Sequence, residues 1–313
     1  MITREFLNVA SIVTSLLVFA TIVSHALLQS KPGNNTFQKV WTIIKGWWVI
    51  VIYLLLCFSW TPVSLLFGFG LLSLLAAREY YKHSRLEEYR NTLFLILVVY
   101  IFAQYILLAL HQWHLFQVSP IIFIILALPL FVILNSNYQR LAEIIGSLIG
   151  PFLAFHFLAY APALYLLSDL AWQTPEKSLY LLFTVIFLTE INDILQFIAG
   201  KSFGRKKIVP AISPNKTEAG FIGGLLGTTA LATIILPKLV GFSPLVAAGL
   251  GLLISFTGIL GDLFFSAVKR YFDTKDFSNK IAGHGGYLDR LDSLIFTLPI
   301  SYYYFWYTVG GFW

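Results

Sequence analysis

LFLILVVYIFAQYILLAL, residues 93–110, holds no charged side chain and no proline. As a helix rising about 1.5 Å per residue, this run would measure roughly 27 Å, close to the ~30 Å hydrocarbon core of a bilayer. Comparable apolar runs recur near residues 6–28, 41–59, 62–77, 115–134, 144–167, 178–199, 219–236, 242–265 and 291–311. Only Trp60-Thr61-Pro62 separates the second run from the third, so the count is nine or ten. Of the 313 residues, 58% are hydrophobic and 12% charged, with a mean hydropathy of +0.78. Soluble domains carry about 25% charged residues. A chain this poor in charge cannot cover a water-facing surface, so lipid must be its main solvent. The expected fold is all-α, a polytopic integral membrane bundle of about nine or ten transmembrane helices.

Threading ten runs back and forth sorts the basic residues. Only Arg4, Lys177 and Lys238 of the 21 Lys and Arg residues fall on one face. Cytoplasmic loops carry the excess of Lys and Arg, so the basic face is expected to be cytoplasmic and both termini to lie opposite. The net charge of +6 then belongs to orientation in the membrane, not to nucleic acid. The run Phe6–Leu28 exceeds a signal-peptide core and no small-residue cleavage site lies beyond it, so it is expected to span. Cys57, within an apolar run, reads as a small buried hydrophobe. Residues 78–92, with Arg78, Glu79, Lys82, Arg85, Glu87, Glu88 and Arg90, read as a solvated connector near lipid head groups.

Acids inside the apolar runs are confined to the second half: Glu190 and Asp193 late in the run 178–199, and Asp262 at the end of 242–265. A carboxylate at the bilayer centre costs roughly 2.5–3.5 kcal/mol on insertion scales. Glu190 balances between a functional acid and one that reaches water or a cation. Asp193 and Asp262 are singled out by the polar segments immediately downstream of each. After Asp193 come Gly200-Lys201-Ser202-Phe203-Gly204-Arg205-Lys206-Lys207 and Ile212-Ser213-Pro214-Asn215-Lys216-Thr217. After Asp262 come Lys269-Arg270, Lys275-Asp276, Gly283-His284-Gly285-Gly286 and Asp289-Arg290-Leu291-Asp292. Carboxylates hold a hard cation such as Mg²⁺ through oxygen. Lys and Arg neutralise phosphate oxygens, and glycine lets backbone amides approach them. The combination describes a site for a metal-bound polyphosphate at the membrane surface. Neither loop has Walker A or Rossmann spacing, no Cys/His cluster argues for zinc, and Ser213 and Ser266 lack a nucleophile motif. His284, flanked by glycines, is expected to contact phosphate.

The stretch Ser266-Ala267-Val268-Lys269-Arg270, then Lys275-Asp276, Ser278, Ile281, His284-Gly285-Gly286 and Asp289-Arg290-Leu291-Asp292 closely resembles the signature of phosphatidate cytidylyltransferases (CDP-diacylglycerol synthases). Gly261-Asp262-Leu263 fits that pattern, as do Asp193, Gly200-Lys201, Phe203-Gly204, Ser213-Pro214, Lys216-Thr217 and Gly220. The resemblance implies the reaction of CTP with phosphatidate, or a related lipid phosphate, to CDP-diacylglycerol and pyrophosphate. It implies Mg²⁺ at Asp193 and Asp262, with K⁺ as a further cation. Asp262, Asp193, Lys269 and Lys216 become the expected catalytic residues. Lys201, Ser213, Arg270, Lys275, Asp276, His284, Gly285, Gly286, Asp289, Arg290 and Asp292 become the expected substrate contacts. Residues 1–177 are then N-terminal transmembrane helices, and 178–313 a catalytic region with cytoplasmic loops 200–218 and 266–290. The expected setting is the cell (inner) membrane with the site facing the cytoplasm. Expected partners are CTP, the lipid phosphate, membrane lipids and, as a homodimer, a second copy.

The chain departs from that pattern where Trp then Glu usually come after Lys-Thr: here Glu218-Ala219 stands. The acid is displaced by one position, about 100° around a helix. Ile194-Leu195-Gln196-Phe197, Ala282 and Tyr287 also differ from the usual residues. These changes suit another lipid phosphate acceptor, or a catalytically weak homologue that binds lipid or nucleotide as a partner. An ion-coupled transporter would instead spread its acids through several spans at mid-depth.

Overall fold

The computed structural model describes residues 4–31, 33–135 and 141–309. In chain order these form α1 (Arg4–Ser30), α2 (Asn35–Ser59), α3 (Val63–Lys82), α4 (Arg90–Ala109), α5 (Trp113–Asn135), α6 (Leu141–Leu158), α7 (Tyr160–Trp172), α8 (Pro175–Phe203), α9 (Glu218–Leu239), α10 (Pro244–Tyr271), a 3₁₀ turn (Leu288–Arg290) and α11 (Asp292–Val309). Among the described residues there are no strands, only two isolated bridges within loops. The all-α polytopic expectation holds. Among the described residues nine helical stretches are long and apolar enough to cross a membrane, α6 and α7 counting together as Glu143–Trp172.

The tenth predicted run is α11, which is not apolar enough to rank with those nine. Its position explains why. Ser293, Leu294, Ile295, Thr297, Leu298, Ser301, Tyr302 and Phe305 are buried, so much of its surface faces protein and lipid sets fewer of its side chains. By contrast Phe19, Ile133 and Leu134 are about two-thirds or more exposed. In water such faces would aggregate; in a bilayer they are the solvated surface.

α8, α9, α10 and α11 form one packed unit: α9 lies against α8 and α10, and α11 against α10, α7 and α6. Gly220 permits the approach of α9 to α8, since a Cβ there would meet the Gln196 carbonyl oxygen at 2.7 Å. Asn192, fully buried on α8, joins three helices. Its Oδ1 accepts from Thr228 Oγ1 of α9 at 3.1 Å and Ser255 Oγ of α10 at 2.6 Å. Where lipid offers no competing partners, such bonds act as glue between helices. The register they set carries the neighbouring Asp193 toward α10.

The connections sort into two ends as the charge pattern requires. Arg85 in the α3–α4 turn donates to the carbonyl of Tyr271, the last residue of α10, and to Asp273 Oδ2 just beyond it. Arg270 donates to the Ile212 carbonyl in the α8–α9 loop at 3.4 Å. At the opposite end Tyr165 of α7 donates to Thr61 Oγ1 of the α2–α3 turn at 2.9 Å, and Trp172 stacks edge-on against Phe242 of the α9–α10 turn. Arg140, counted with the basic face, lies outside the described residues. Cys57 is buried, as read from its setting.

Two boundaries differ from expectation. The polar loops were placed at 200–218 and 266–290, but α8 runs through Phe203 and α10 through Tyr271. Lys201, Lys269 and Arg270 therefore sit on helices, where late cations favour the helix C-terminus. Asp262 is some two turns inside α10 instead of at its end.

The two-ended arrangement predicts that Lys206→Cys and Lys238→Cys, both at exposed positions, react with a membrane-impermeant thiol reagent from opposite faces of sealed vesicles. Labelling of both from the same face would overturn the crossing number.

Candidate active site

The α8–α9 loop, residues 204–217, folds back on itself. Ile208 N donates to the Lys216 carbonyl at 3.2 Å and Glu218 N to the Lys206 carbonyl at 3.0 Å. Thr217 caps α9, its Oγ1 accepting from Gly220 N at 3.1 Å. This ribbon directs Lys216 into the bundle. Its Nζ lies 2.6 Å from Asp262 Oδ2 and 3.5 Å from Asp193 Oδ1, and donates to Gln196 Oε1 at 3.0 Å. One ammonium thus bridges the acids of α8 and α10. Burial pulls its pKa down, but Asp193 and Asp262 outweigh that and hold it above the ordinary lysine value. Ser293 Oγ of α11 donates to Asp193 Oδ2 at 3.2 Å and Ser266 Oγ to Asp262 Oδ1 at 3.4 Å, which turns both carboxylates. Asp193 Oδ1 is shielded from solvent yet accepts no hydrogen bond.

The second loop, residues 272–291, is built around Asp289, which is 2% exposed. Its Oδ2 accepts from Phe277 N and Gly286 N, each at 2.8 Å. Its Oδ1 takes the Lys269 ammonium at 3.0 Å, and the same ammonium lies 3.7 Å from Asp292 Oδ2. Gly285 has φ +81°, a left-handed conformation costly for other residues, and a Cβ there would also press on Asp289. Asp289 therefore organises the loop, and its oxygens are already engaged.

Glu79, placed by sequence in a solvated connector, is instead 2% exposed at the end of α3. Its Oε1 accepts from Ser278 Oγ at 2.6 Å and its Oε2 from Leu288 N at 3.0 Å, with Lys280 Nζ 3.7 Å from Oε1. Gly286 leaves room for it, because a Cβ there would collide with Glu79 Oε2. The connector expectation fails at this position because a buried acid with partners about two hundred residues away has no local signature. The one sequence hint was a carboxylate in the apolar-rich stretch preceding the turn.

The expected site residues divide into groups. Asp193, Asp262 and Lys216 meet directly, with Lys269 and Asp292 paired beside them on α10 and α11. Lys201, Lys207, Ser213, Asn215, Asp193 and Lys216 line a pocket of about 340 Å³. Arg270, on α10, ties the two loops by donating to the Ile212 carbonyl of the first and to the Thr274 carbonyl of the second, each at 3.4 Å. Lys275 and Asp276 are exposed on the second loop, and among the described residues no contact joins them to the carboxylates. His284 packs edge-on against Trp47 of α2, its Nδ1 3.1 Å from the Ala282 carbonyl. Burial keeps its pKa below the ordinary histidine value, so the ring is neutral at pH 7. Arg290 and Glu190 are the charged residues lining a cavity of about 200 Å³, otherwise lined by residues such as Ile50, Leu54, Phe69 and Leu294. Arg290 Nε is buried without a hydrogen-bond partner. The displaced Glu218 pairs with Lys206 Nζ at 2.7 Å on the exposed side of α9.

Among the described residues no three His, Cys, Asp or Glu side chains group closely enough to form a full metal cage. The site offers two hard carboxylates, Asp193 and Asp262, bridged by an ammonium and bordered by a basic pocket. Such a set suits a cation shared between protein and phosphate, not one enclosed by protein alone.

The model of the cytidylyltransferase family matches residues 39–308. The chain belongs to that family and is an integral membrane protein of the nucleotidyltransferase class. It is 34% identical over 298 residues to the uncharacterized protein YnbB of Escherichia coli K12, covering 93% of this chain and 95% of YnbB. It is 32% identical over 221 residues to the phosphatidate cytidylyltransferase of Aquifex aeolicus VF5, covering 68% of this chain and 82% of that enzyme. A shorter match, 46% identical over 110 residues, links 34% of this chain to 40% of the phosphatidate cytidylyltransferase of Bacillus subtilis 168.

Replacing Glu79 by Ala should loosen the second loop. It leaves the Leu288 N–H buried without an acceptor, which costs about 1–3 kcal/mol. Trypsin cleavage after Lys280 in the detergent-solubilised protein should accelerate about tenfold, one decade per ~1.4 kcal/mol of local opening. Unchanged cleavage would remove Glu79 from this role.

Proposed function

We propose that the protein transfers the cytidylyl group of CTP to phosphatidate or a closely related lipid phosphate, releasing pyrophosphate, on the cytoplasmic side of the cell membrane. The observation that carries this reading is the Lys216 ammonium held between Asp193 and Asp262 at the wall of a basic pocket. The similarity to enzymes named phosphatidate cytidylyltransferases supports the lipid acceptor.

The chemistry needs no protein nucleophile. A phosphate monoester has its second pKa near ~6 and is largely a dianion at pH 7. One of its oxygens attacks the α-phosphorus of CTP, the new P–O bond forms, and the α–β bridge breaks with its electron pair leaving on pyrophosphate. The protein's task is to hold two polyanions in line and to offset their charge. Lys216, Lys201 and Lys207 face the nucleotide phosphates from the 340 Å³ pocket. Arg290, with its unpaired Nε, meets the lipid phosphate at the mouth of the apolar cavity, where acyl carbons rest against Ile50, Leu54 and Phe69. Asp193 and Asp262 would hold Mg²⁺, which when bound neutralises phosphate charge and orients the oxygens around it. Lys216 releases part of its hold on them as the triphosphate arrives. Lys269, Asp289 and Asp292 keep the second loop folded over the site.

The basic loops lie where cytoplasmic segments carry Lys and Arg, which supports the orientation. Glu218 is engaged with Lys206 at the surface and so does not replace the family's acid one position on. That observation favours an acceptor preference distinct from the phosphatidate enzymes, so several lipid phosphates belong in the assay.

Purified protein in mixed micelles should release pyrophosphate from labelled CTP only with Mg²⁺ and a lipid phosphate. Asp262→Asn should lower turnover about 10²- to 10³-fold, the usual effect of losing one charge-stabilising group, with the thermal unfolding profile retained. Wild-type activity in this variant would sink the role of Asp262. No pyrophosphate release with any lipid phosphate, together with no CTP binding, would sink the reaction.

A further inference from the structure

A second concavity opens where α3 ends and α4 begins. It measures about 970 Å³, and none of Asp193, Asp262, Lys216 or Arg290 lines it. Arg78 and Lys82 come to it from α3, Arg90 and Asn91 from the first turn of α4, and Lys280 from the second loop. Arg78, Lys82 and Arg90 are exposed, and among the described residues no carboxylate lies within 4.0 Å of them. Lys280 shares Glu79, whose oxygens already serve Ser278 and Leu288. Four cations therefore converge from three elements with one committed acid among them. Leu74, Leu75 and Phe94 line the same groove, and the neighbouring Leu71 of α3 and Leu95 of α4 are exposed. A bias toward basic loops accounts for cations at this end of the molecule, not for their convergence on one amphipathic hollow.

We propose that this groove binds an anionic phospholipid as a bound partner separate from the reacting lipid. Arg78, Lys82, Arg90 and Lys280 surround the headgroup phosphate, and Leu74, Leu75 and Phe94 receive the first acyl carbons. The apolar floor selects a lipid over free phosphate, because inorganic phosphate would leave it uncovered. Lys280 and Ser278 belong both to the groove and to the loop held by Glu79, so an occupied groove braces the loop that carries Asp289 and Arg290. The proposal does not depend on which reaction the carboxylate site performs.

The test is native mass spectrometry of the full-length protein in mild detergent, titrated with dioleoyl phosphatidylglycerol, dioleoyl phosphatidylcholine or inorganic phosphate. One tight phosphatidylglycerol adduct is expected, with no equivalent phosphatidylcholine adduct. Lys82→Gln/Arg90→Gln should weaken it about thirtyfold, the effect of two interfacial cations. Arg205→Gln/Lys206→Gln, which removes two exposed cations from the other loop, should leave it unchanged. Equal weakening by the two pairs would mean diffuse attraction and overturn the proposal. So would equal binding of phosphatidylcholine, or displacement of the adduct by phosphate at the lipid's own concentration. Thermal unfolding checks that each variant is folded; if the double variant is not, Lys82→Gln alone should weaken the adduct roughly fivefold.

Discussion

Everything at the polar end of the bundle depends on one ammonium between two carboxylates. Asp193 and Asp262 arrive on different helices, and two like charges brought together near a low-dielectric interior repel strongly. Lys216 makes their meeting tolerable. The α8–α9 loop folds as a ribbon so that Lys216 points inward, and Asn192 fixes the helix register that places Asp193. Removing one member of such a set strands the others, which is why the cluster behaves as a unit.

The second loop repeats the device with the signs reversed. Two buried acids, Asp289 and Glu79, collect backbone N–H groups, a hydroxyl and lysines from a glycine-rich segment that has no regular structure of its own. A loop of this kind cannot leave its amides unpaired against a protein wall. The carboxylates supply the acceptors that a helix or sheet would otherwise provide. Arg270 then couples this loop to the first through the Ile212 carbonyl, so the two polar segments form one surface.

The sequence made some of this plain and hid the rest for identifiable reasons. Spans were legible because solvation by lipid acts on each segment independently. Asp193, Asp262 and Lys216 were singled out by the sequence pattern around them, although that pattern says nothing of the ion pairs they make. Helix ends were misjudged because Lys201 and Lys269 look like loop residues until their surroundings are seen; Lys269 continues α10 because Asp289, twenty residues on, receives its charge. The direction of His284 could not be read, because it is set by Trp47 and Gly46 of α2, remote in sequence. Glu79 was hidden most completely, since its partners lie 199 and 209 positions further along the chain.

That separation has a consequence for biogenesis. Ribosomes add about 5–20 residues per second, so Glu79 waits roughly 10–40 s after its own synthesis for Ser278 and Leu288 to emerge. During that interval α3 carries the acid at its end without the two groups that bond it in the folded chain. The carboxylate stays hydrated at the water boundary, and it withdraws beneath the glycine-rich loop only when that loop has been made. Closure of that loop thus comes late in maturation, and a chain stalled before residue 278 would be threaded through the membrane yet still unlocked.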